Sequence, residues 1–372
     1  MRVAVLGAGA IGANIAHRLA VRGAEVVLID GRAPGSGTSG ASFSWLSSFP
    51  QLSWAEDPGR RALRLSVNAH FDRLAEELGG DWLDWCGTLT VEGAVPDFDA
   101  AVARSAEAGA QLDVLDAAEL AAIAPQLRLE EGERVAFELR SGWVDAPAMI
   151  EQLIRVFRLS GGVLRLGQEA VGILRDGARV SGVTLADGSR VGADMVVNAG
   201  GANATHIAAM ADLSIPMELV PGLMIYAGAG APDLPRHVIN GARWLIRPDR
   251  EAGTAIHWRG EGLTAVHGHN GSDAGAMLAD VARALPGLAG QAPARQRIGI
   301  RAMPFGGPVI GALPWLDGYY SAVSHGGIGW GPIWAELAAR EILDGESVAE
   351  LAGLRPARFY YDVTPAMVPL PS

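Results

Sequence analysis

The chain has 372 residues, 49% of them apolar and 19% charged, which leaves room for two domains with sizeable cores and excludes wholesale disorder. Its formal charge of −11 argues against nucleic acid as a partner, because that needs a basic surface. All 30 basic residues are arginine, which excludes lysine chemistry, and the single cysteine, Cys86, excludes an intrachain disulfide or a cysteine-rich metal site.

Val3-Ala4-Val5-Leu6 is a continuous apolar run of the kind that forms a buried parallel strand. Gly7-Ala8-Gly9-Ala10-Ile11-Gly12 follows and opens a helix with Ile11, Ile15 and Leu19 on one stripe, stopped by Gly23. Val26 to Ile29 predicts a second strand that ends at Asp30. Asn14, His17, Arg18 and three glycines interrupt the apolar stretch 3–20, and no charged leader precedes it. Neither a signal peptide nor a transmembrane segment is expected, and the cytoplasm is the expected location.

Residues 31–53 read as a long loop, followed by helical patterns at 60–78, 100–108 and 148–159. Asp176-Gly177 and Asp187-Gly188 separate β-rich runs at 169–174, 179–185 and 190–193, which predicts a β-meander. A buried strand at 195–197 opens into Asn198-Ala199-Gly200-Gly201. The pattern changes at Ile215-Pro216, the expected domain boundary, to longer β-runs at 217–226, 243–247, 254–258 and 298–303, with a helix at 273–285. The chain then returns to a strand at 319–323, a glycine-rich stretch at 324–331 and a helix at 333–343.

Gly7-x-Gly9-x-x-Gly12 lies after a strand and opens a helix. The first glycine permits the turn, the second admits a pyrophosphate to the backbone, and the third lets helix and strand pack closely. Asp30 is placed to accept the hydroxyls of an adenosine ribose. Together these features predict dinucleotide binding. Gly37-Thr38-Ser39-Gly40-Ala41-Ser42 bears on whether the dinucleotide is FAD or NAD, since small residues can lay N–H groups along a diphosphate and ribityl chain; a flexible loop is the other reading of this segment.

With these segments, Ser141-Gly142-Trp143-Val144-Asp145-Ala146-Pro147, Val196 to Ala202, Pro308-Val309-Ile310-Gly311 and Ser324-His325-Gly326-Gly327-Ile328-Gly329-Trp330 make the chain resemble the D-amino-acid oxidase family of flavoproteins, which includes glycine oxidase, sarcosine oxidase and the D-amino-acid dehydrogenases. The resemblance implies FAD held at Gly7, Gly9, Ala10, Ile11, Gly12, Asp30, Gly31 and Arg32. It implies a second flavin segment at Thr38, Ser39, Ala41 and Ser42, adenine near Val171, and further backbone at Ala199 and Gly200. His325, Gly326, Gly327, Ile328 and Gly329 would meet the pyrimidine end of the flavin, where N–H groups at a helix start stabilise negative charge on reduction. The expected fold class is α/β with two domains. A Rossmann-like FAD-binding domain with a parallel sheet and β-meander would use 1–80, 141–214 and 302–372, and an antiparallel-sheet substrate domain would use 81–140 and 215–301.

Arg297, Gly299 and Arg301 share one face of a predicted strand, and Arg301 is the candidate to hold a substrate carboxylate in a two-bond fork; a structural ion pair is the other reading. The family's usual proline after this arginine is Ala302 here, and its Asp-Gly is Gly306-Gly307. The implied reaction removes a hydride from the carbon bearing an amine and gives an imine that water hydrolyses to a keto acid. The partners would be a small amine or amino acid and oxygen or another electron acceptor.

His257 stands in for the lysine some relatives place beside the flavin, against its reading as an ordinary partly buried histidine. Trp244, Tyr226 and Trp330 are candidate substrate contacts, and Trp45 and Trp334 candidate pocket walls or simply core. His267 and His269 alternate on a strand but lack a third ligand, so no metal is expected. Cys86 reads as an inert thiol. The competing functions are a 2-hydroxy-acid oxidase or dehydrogenase, a non-catalytic flavin-binding subunit of a larger oxidase, and an NAD-only dehydrogenase.

Overall fold

A computed structural model describes residues 1–47, 58–107, 109–258 and 271–360; His267 and His269 lie outside them. The chain forms two compact units, Met1–Ser36 with Ile150–Val220 and Arg301–Ser372, and Gly37–Met149 with Pro221–Ile300. By compactness, residues 37–80 and 141–149 group with the second unit, and the break near 215 falls later, after Val220. Strand pairing accounts for part of this grouping, since Trp45–Leu46 pairs antiparallel with Gly142–Val144, which also pairs with Leu83–Asp84.

The first unit is built on a nine-stranded sheet in which Arg2–Leu6 lies between Glu25–Asp30 and Met195–Asn198, parallel to both. Leu316–Val323 continues the parallel order beyond Met195–Asn198, and Val163–Leu166 flanks Glu25–Asp30. The expected meander is present as Ala170–Asp176, Arg179–Leu185 and Arg190–Gly192, turning at Gly177 (φ +59°) and Gly188 (φ +82°). Ala4, Leu6, Ile29, Val196 and Tyr319 pack within one buried cluster. Burying both faces of these strands explains why they read as unbroken apolar runs.

The opening helix, Ala10–Val21, and the last helix, Gly327–Asp344, run side by side in the same direction. A Cβ on Gly327 would stand 3.1 Å from Ile11 Cγ1, and one on Gly331 2.8 Å from Asn14 Nδ2. Farther along, Arg18 meets Glu336 at 3.4 Å and Arg22 meets Asp344 at 2.8 Å. The last helix starts well before the expected residue 333. Pro332 sits inside it, where a proline removes one backbone N–H bond without ending the helix.

The second unit carries most of an eight-stranded sheet in the order 295–304, 217–227, 253–258, 244–249, 238–240, 88–91, 135–138, 112–115; residues 217–220 and 301–304 count with the first unit. One face is apolar: Leu223, Ile225, Ile246, Ile256 and Trp258 pack with Met277, Leu278 and Val281 of the helix Gly271–Ala284. Strand alternation and register put Met224, Tyr226, Leu245, Arg247, Ala255 and His257 on the other face.

The predicted helix 60–78 is two helices, Pro58–Leu65 and Val67–Leu78, meeting at Ser66, whose hydroxyl donates back to Leu63 O. Within 31–53 the structure adds a short 3₁₀ turn, Thr38–Ala41, and the two-residue strand Trp45–Leu46. Among the described residues no helix is long and apolar enough to cross a membrane.

Candidate functional site

Three strand ends of the first unit carry the glycines. Gly7, at φ +105°, donates its N–H to Ile29 O at 2.9 Å, and a Cβ there would lie 2.5 Å from Ala199 O. Gly12 is required by the turn itself, since its Cβ would stand 1.9 Å from Gly7 O. Gly9 caps the opening helix in an extended conformation with no side-chain cap, so Ala10, Ile11 and Gly12 form a first turn whose N–H groups have no intrahelical acceptors. At the neighbouring strand end, Ala199 N–H reaches Leu6 O at 2.9 Å, and a Cβ on Gly200 would stand 2.4 Å from Ile207 Cδ1.

Asn198, fully buried, arranges that second strand end. Its Nδ2 donates to Ala204 O and Tyr319 Oη, both at 2.9 Å, and its Oδ1 accepts from Gly200 N at 3.2 Å. Sequence reasoning gave Asn198 no role, although an amide ending a buried apolar strand was the available signal.

Asp30 braces the first loop. One carboxylate oxygen accepts from Ala8 N at 2.7 Å and the other from Arg32 N at 2.8 Å. Gly31 leaves ordinary space beside Glu169, and Arg32 is exposed. Val171 is 52% exposed where the register slips between Ala170 and Gly172. A bulge of this kind takes a residue's backbone out of the ladder.

The third glycine-lined end is His325 to Gly329. Gly326, at φ +70°, caps the last helix without a side-chain hydrogen bond, and Gly327, Ile328 and Gly329 form its first turn. The glycine stretch expected ahead of a helix is therefore the helix start itself, and Gly327 sets it against Ile11 in the first turn of the opening helix. Two helix starts without side-chain caps, pointing the same way, offer positive partial charge of the kind that suits an anion. Burial, followed by the nearby Arg301 charge, pushes the His325 imidazole down to about 4, so the ring is neutral at pH 7. Arg301 donates Nε–H to Val220 O at 3.3 Å, and burial lowers its pKa. Trp330 is buried in the last helix and stacks on Trp334, with ring centroids 5.2 Å apart.

In the second unit, Thr38 Oγ1 donates to Ile300 O and Arg297 Nη1 to Gly40 O. A Cβ on Gly299 would lie 3.2 Å from Ala41 Cβ, so the Thr38–Ala41 turn, which includes Ser39, is seated on the strand leading to residue 301. Ser42 Oγ accepts from Ser44 N at 3.1 Å. Tyr226 and His257 lie on one sheet face: Tyr226 is buried with Phe43, and its ring lies 4.3 Å from the Arg295 guanidinium. His257 is linked to Leu223 O at 3.2 Å.

Trp244 is not brought to them. It pairs with Trp258 on the opposite face and packs against the helix-covered core, so its neighbour Leu245 faces Tyr226 and His257 instead. Sequence reasoning passed over Arg247, a buried cation on this face; it donates Nε–H to Phe43 O at 2.8 Å and lies 4.3 Å over the Trp143 ring. Its alternation with Leu245 was the missed signal.

A family model described as DAO, FAD dependent oxidoreductase, matches residues 2–341. The chain belongs to this family. It is 28% identical over 385 residues to the glycine oxidase of Pseudomonas aeruginosa, covering 96% of this chain and 98% of that protein. The crystal structure of glycine oxidase from Geobacillus kaustophilus superimposes with a TM-score of 0.85 at 23% identity, over 96% of this chain and 99% of that one. The L-proline dehydrogenase of P. horikoshii gives a TM-score of 0.84 at 21% identity, over 97% of this chain and 98% of that one.

FAD is the cofactor of the DAO family, and the first unit suits it. Its glycine cradle would be filled by any Cβ, its opening helix starts without a side-chain cap, as a diphosphate needs, and it has an acid at the end of the second strand. The protein is an FAD-dependent oxidoreductase.

Proposed function

We propose that the protein oxidises the C–N bond of an amino acid, or of a primary or secondary amine carrying a carboxylate, to an imine that water hydrolyses to a keto acid. The observation that carries this reading is the packing that brings the two segments together: Ala302, next to Arg301, shares a buried cluster with Val323, which ends the strand leading to His325. A cation suited to a substrate carboxylate on a segment packed near the helix start proposed for the flavin supports this reading. Bound FAD supplies the hydride acceptor.

Arg301 holds the carboxylate as a permanently charged fork and so fixes the α-carbon in orientation. The backbone of Gly326, Gly327, Ile328 and Gly329 offers positive partial charge at the start of the last helix, while neutral His325 adds shape and no charge. Tyr226 and Trp330 are proposed substrate contacts, and His257 is proposed to take the part of the lysine that some relatives place beside the flavin. Gly7, Gly9, Ala10, Ile11, Gly12, Asp30, Gly31, Arg32, Val171, Ala199 and Gly200 are proposed to hold FAD, with Thr38, Ser39, Ala41 and Ser42 as a second flavin segment. The relatives named above are a glycine oxidase and a proline dehydrogenase, which supports an amino-acid substrate.

The test is an anaerobic screen of amino acids, N-methyl amino acids, 2-hydroxy acids and neutral amines, followed by flavin bleaching. A carboxylate-bearing amine should bleach the flavin, and Arg301→Met should lower that rate by roughly 10²-fold, as expected when a reacting group is misplaced. Bleaching by hydroxy acids alone would select alcohol oxidation. Bleaching by neutral amines alone would remove Arg301 from the site. Readmission of air then distinguishes oxygen from another electron acceptor.

A further inference from the structure

The strand of Arg301 ends at Pro304 and gives way to a glycine turn. Pro304-Phe305-Gly306-Gly307-Pro308 turns through two successive left-handed glycines, Gly306 at φ +74° and Gly307 at φ +93°. Glycine reaches that conformation without strain, but it also leaves it easily. The loop's own backbone supplies one bond, Gly307 N to Pro304 O at 3.1 Å, and Phe305 N ties it to Pro216 O at 3.1 Å.

What closes the loop comes from far along the chain. Arg358, in the 3₁₀ turn Pro356–Phe359, donates Nη1–H to Pro308 O at 2.7 Å and Nη2–H to Phe305 O at 3.0 Å and Gly307 O at 2.8 Å. Three carbonyls of a five-residue loop thus converge on one guanidinium. Its planar fork of donors suits such a set, and a lysine ammonium does not reproduce that geometry. Three residues earlier, Arg355 fixes this turn to the last helix: it donates to both carboxylate oxygens of Glu341, which also accepts from Tyr320 Oη at 2.8 Å. Covalent and hydrogen-bonded links therefore run from the last helix, through Glu341, Arg355 and Arg358, to the loop that ends the strand of Arg301.

We propose that Arg358 is a positioning residue for Arg301: by gathering the carbonyls of Phe305, Gly307 and Pro308 it fixes the end of the strand, and so the place at which Arg301 receives a carboxylate. This rests on the carboxylate role proposed for Arg301. Arg358 touches no reacting atom; it sets where the carboxylate is held.

The experiment uses FAD-loaded protein and two probes, glycolate and benzoate, titrated against the visible flavin band. In wild type at least one probe binds, and Arg301→Met abolishes binding. Arg358→Met is expected to weaken binding by about tenfold or more, with FAD occupancy and the unliganded flavin spectrum unchanged. Arg358→Lys restores little, while millimolar guanidinium added to Arg358→Ala restores most of the affinity. Wild-type affinity in both Arg358→Met and Arg358→Lys, with Arg301→Met defective, overturns the positioning role and leaves the Arg301 reading intact. Failure of both probes to bind wild type, or full binding by Arg301→Met, overturns the Arg301 reading and the positioning role with it. Should Arg358→Met shed its flavin, Arg358→Lys carries the comparison. Loss of flavin from both also overturns the proposal, because Arg358 would then serve the fold at large.

Discussion

His325 shows how a single residue's surroundings set its chemistry. Burial and the Arg301 charge hold its folded pKa at about 4, against 6.5 for a free imidazole. Between those two values the unfolded chain binds the proton more readily than the folded one. Stability is therefore fully present above pH 6.5 and is lost as the pH falls through 6.5 toward 4. His325→Gln cannot take up that proton. In urea titrations across this window its midpoint should decline less steeply than that of wild type; equal slopes would mean that other groups dominate acid sensitivity. At this scale the sequence was legible wherever a constraint is local. Gly12 must be glycine because the carbonyl of Gly7, in the same turn, occupies the place of its Cβ. Trp244 was less legible, because which face of a strand a residue takes depends on partners such as Trp258, and no short window specifies them. Arg358 was not legible at all, since its three carbonyl partners lie about fifty residues upstream.

The last helix shows the same limit in an element. A start was expected at 333, but the sheet strand before it and the opening helix beside it carry the helix back to Gly327, which places the glycine segment in the first turn. Its far half is a mooring. Glu341, with a side chain 10% exposed, accepts from Tyr320, Arg355 and Val348 N and ties the closing 3₁₀ turns to the helix. Glu341→Leu removes the carboxylate shared by Arg355 and Tyr320, leaves the half-buried Arg355 with Val348 O alone, and is expected to cost about 1–3 kcal/mol, read as a lower urea midpoint. A loss within about 1 kcal/mol would show the pair to be dispensable, as exposed ion pairs generally are. The meander was legible because two Asp-Gly turns punctuate it. Short strands such as Val163–Leu166 and Thr88–Val91 were passed over, because each acquires its identity from pairing with a neighbour remote in sequence.

For the molecule as a whole, the buried strands and the meander followed from where apolar runs stop and glycines begin, while the pairing of an FAD-binding unit with an antiparallel sheet followed from the family resemblance. A cofactor held, as proposed, at the three glycine-lined strand ends of the first unit should raise the stability of the protein. FAD at a thousandfold excess over its dissociation constant adds about 4 kcal/mol by mass action, so flavin-free protein should melt several degrees lower and recover when FAD is supplied. An unchanged melting point would place flavin binding outside the cooperative structure. The parallel run of the opening and last helices has a further outcome. Two peptide dipoles aligned in the same sense repel, most strongly where Ile11 and Gly327 meet, while Arg18 with Glu336 and Arg22 with Asp344 fasten the opposite ends. Negative charge bound at those starts would offset the repulsion, so the prosthetic group is expected to act as a counter-ion that steadies the two helices bearing it.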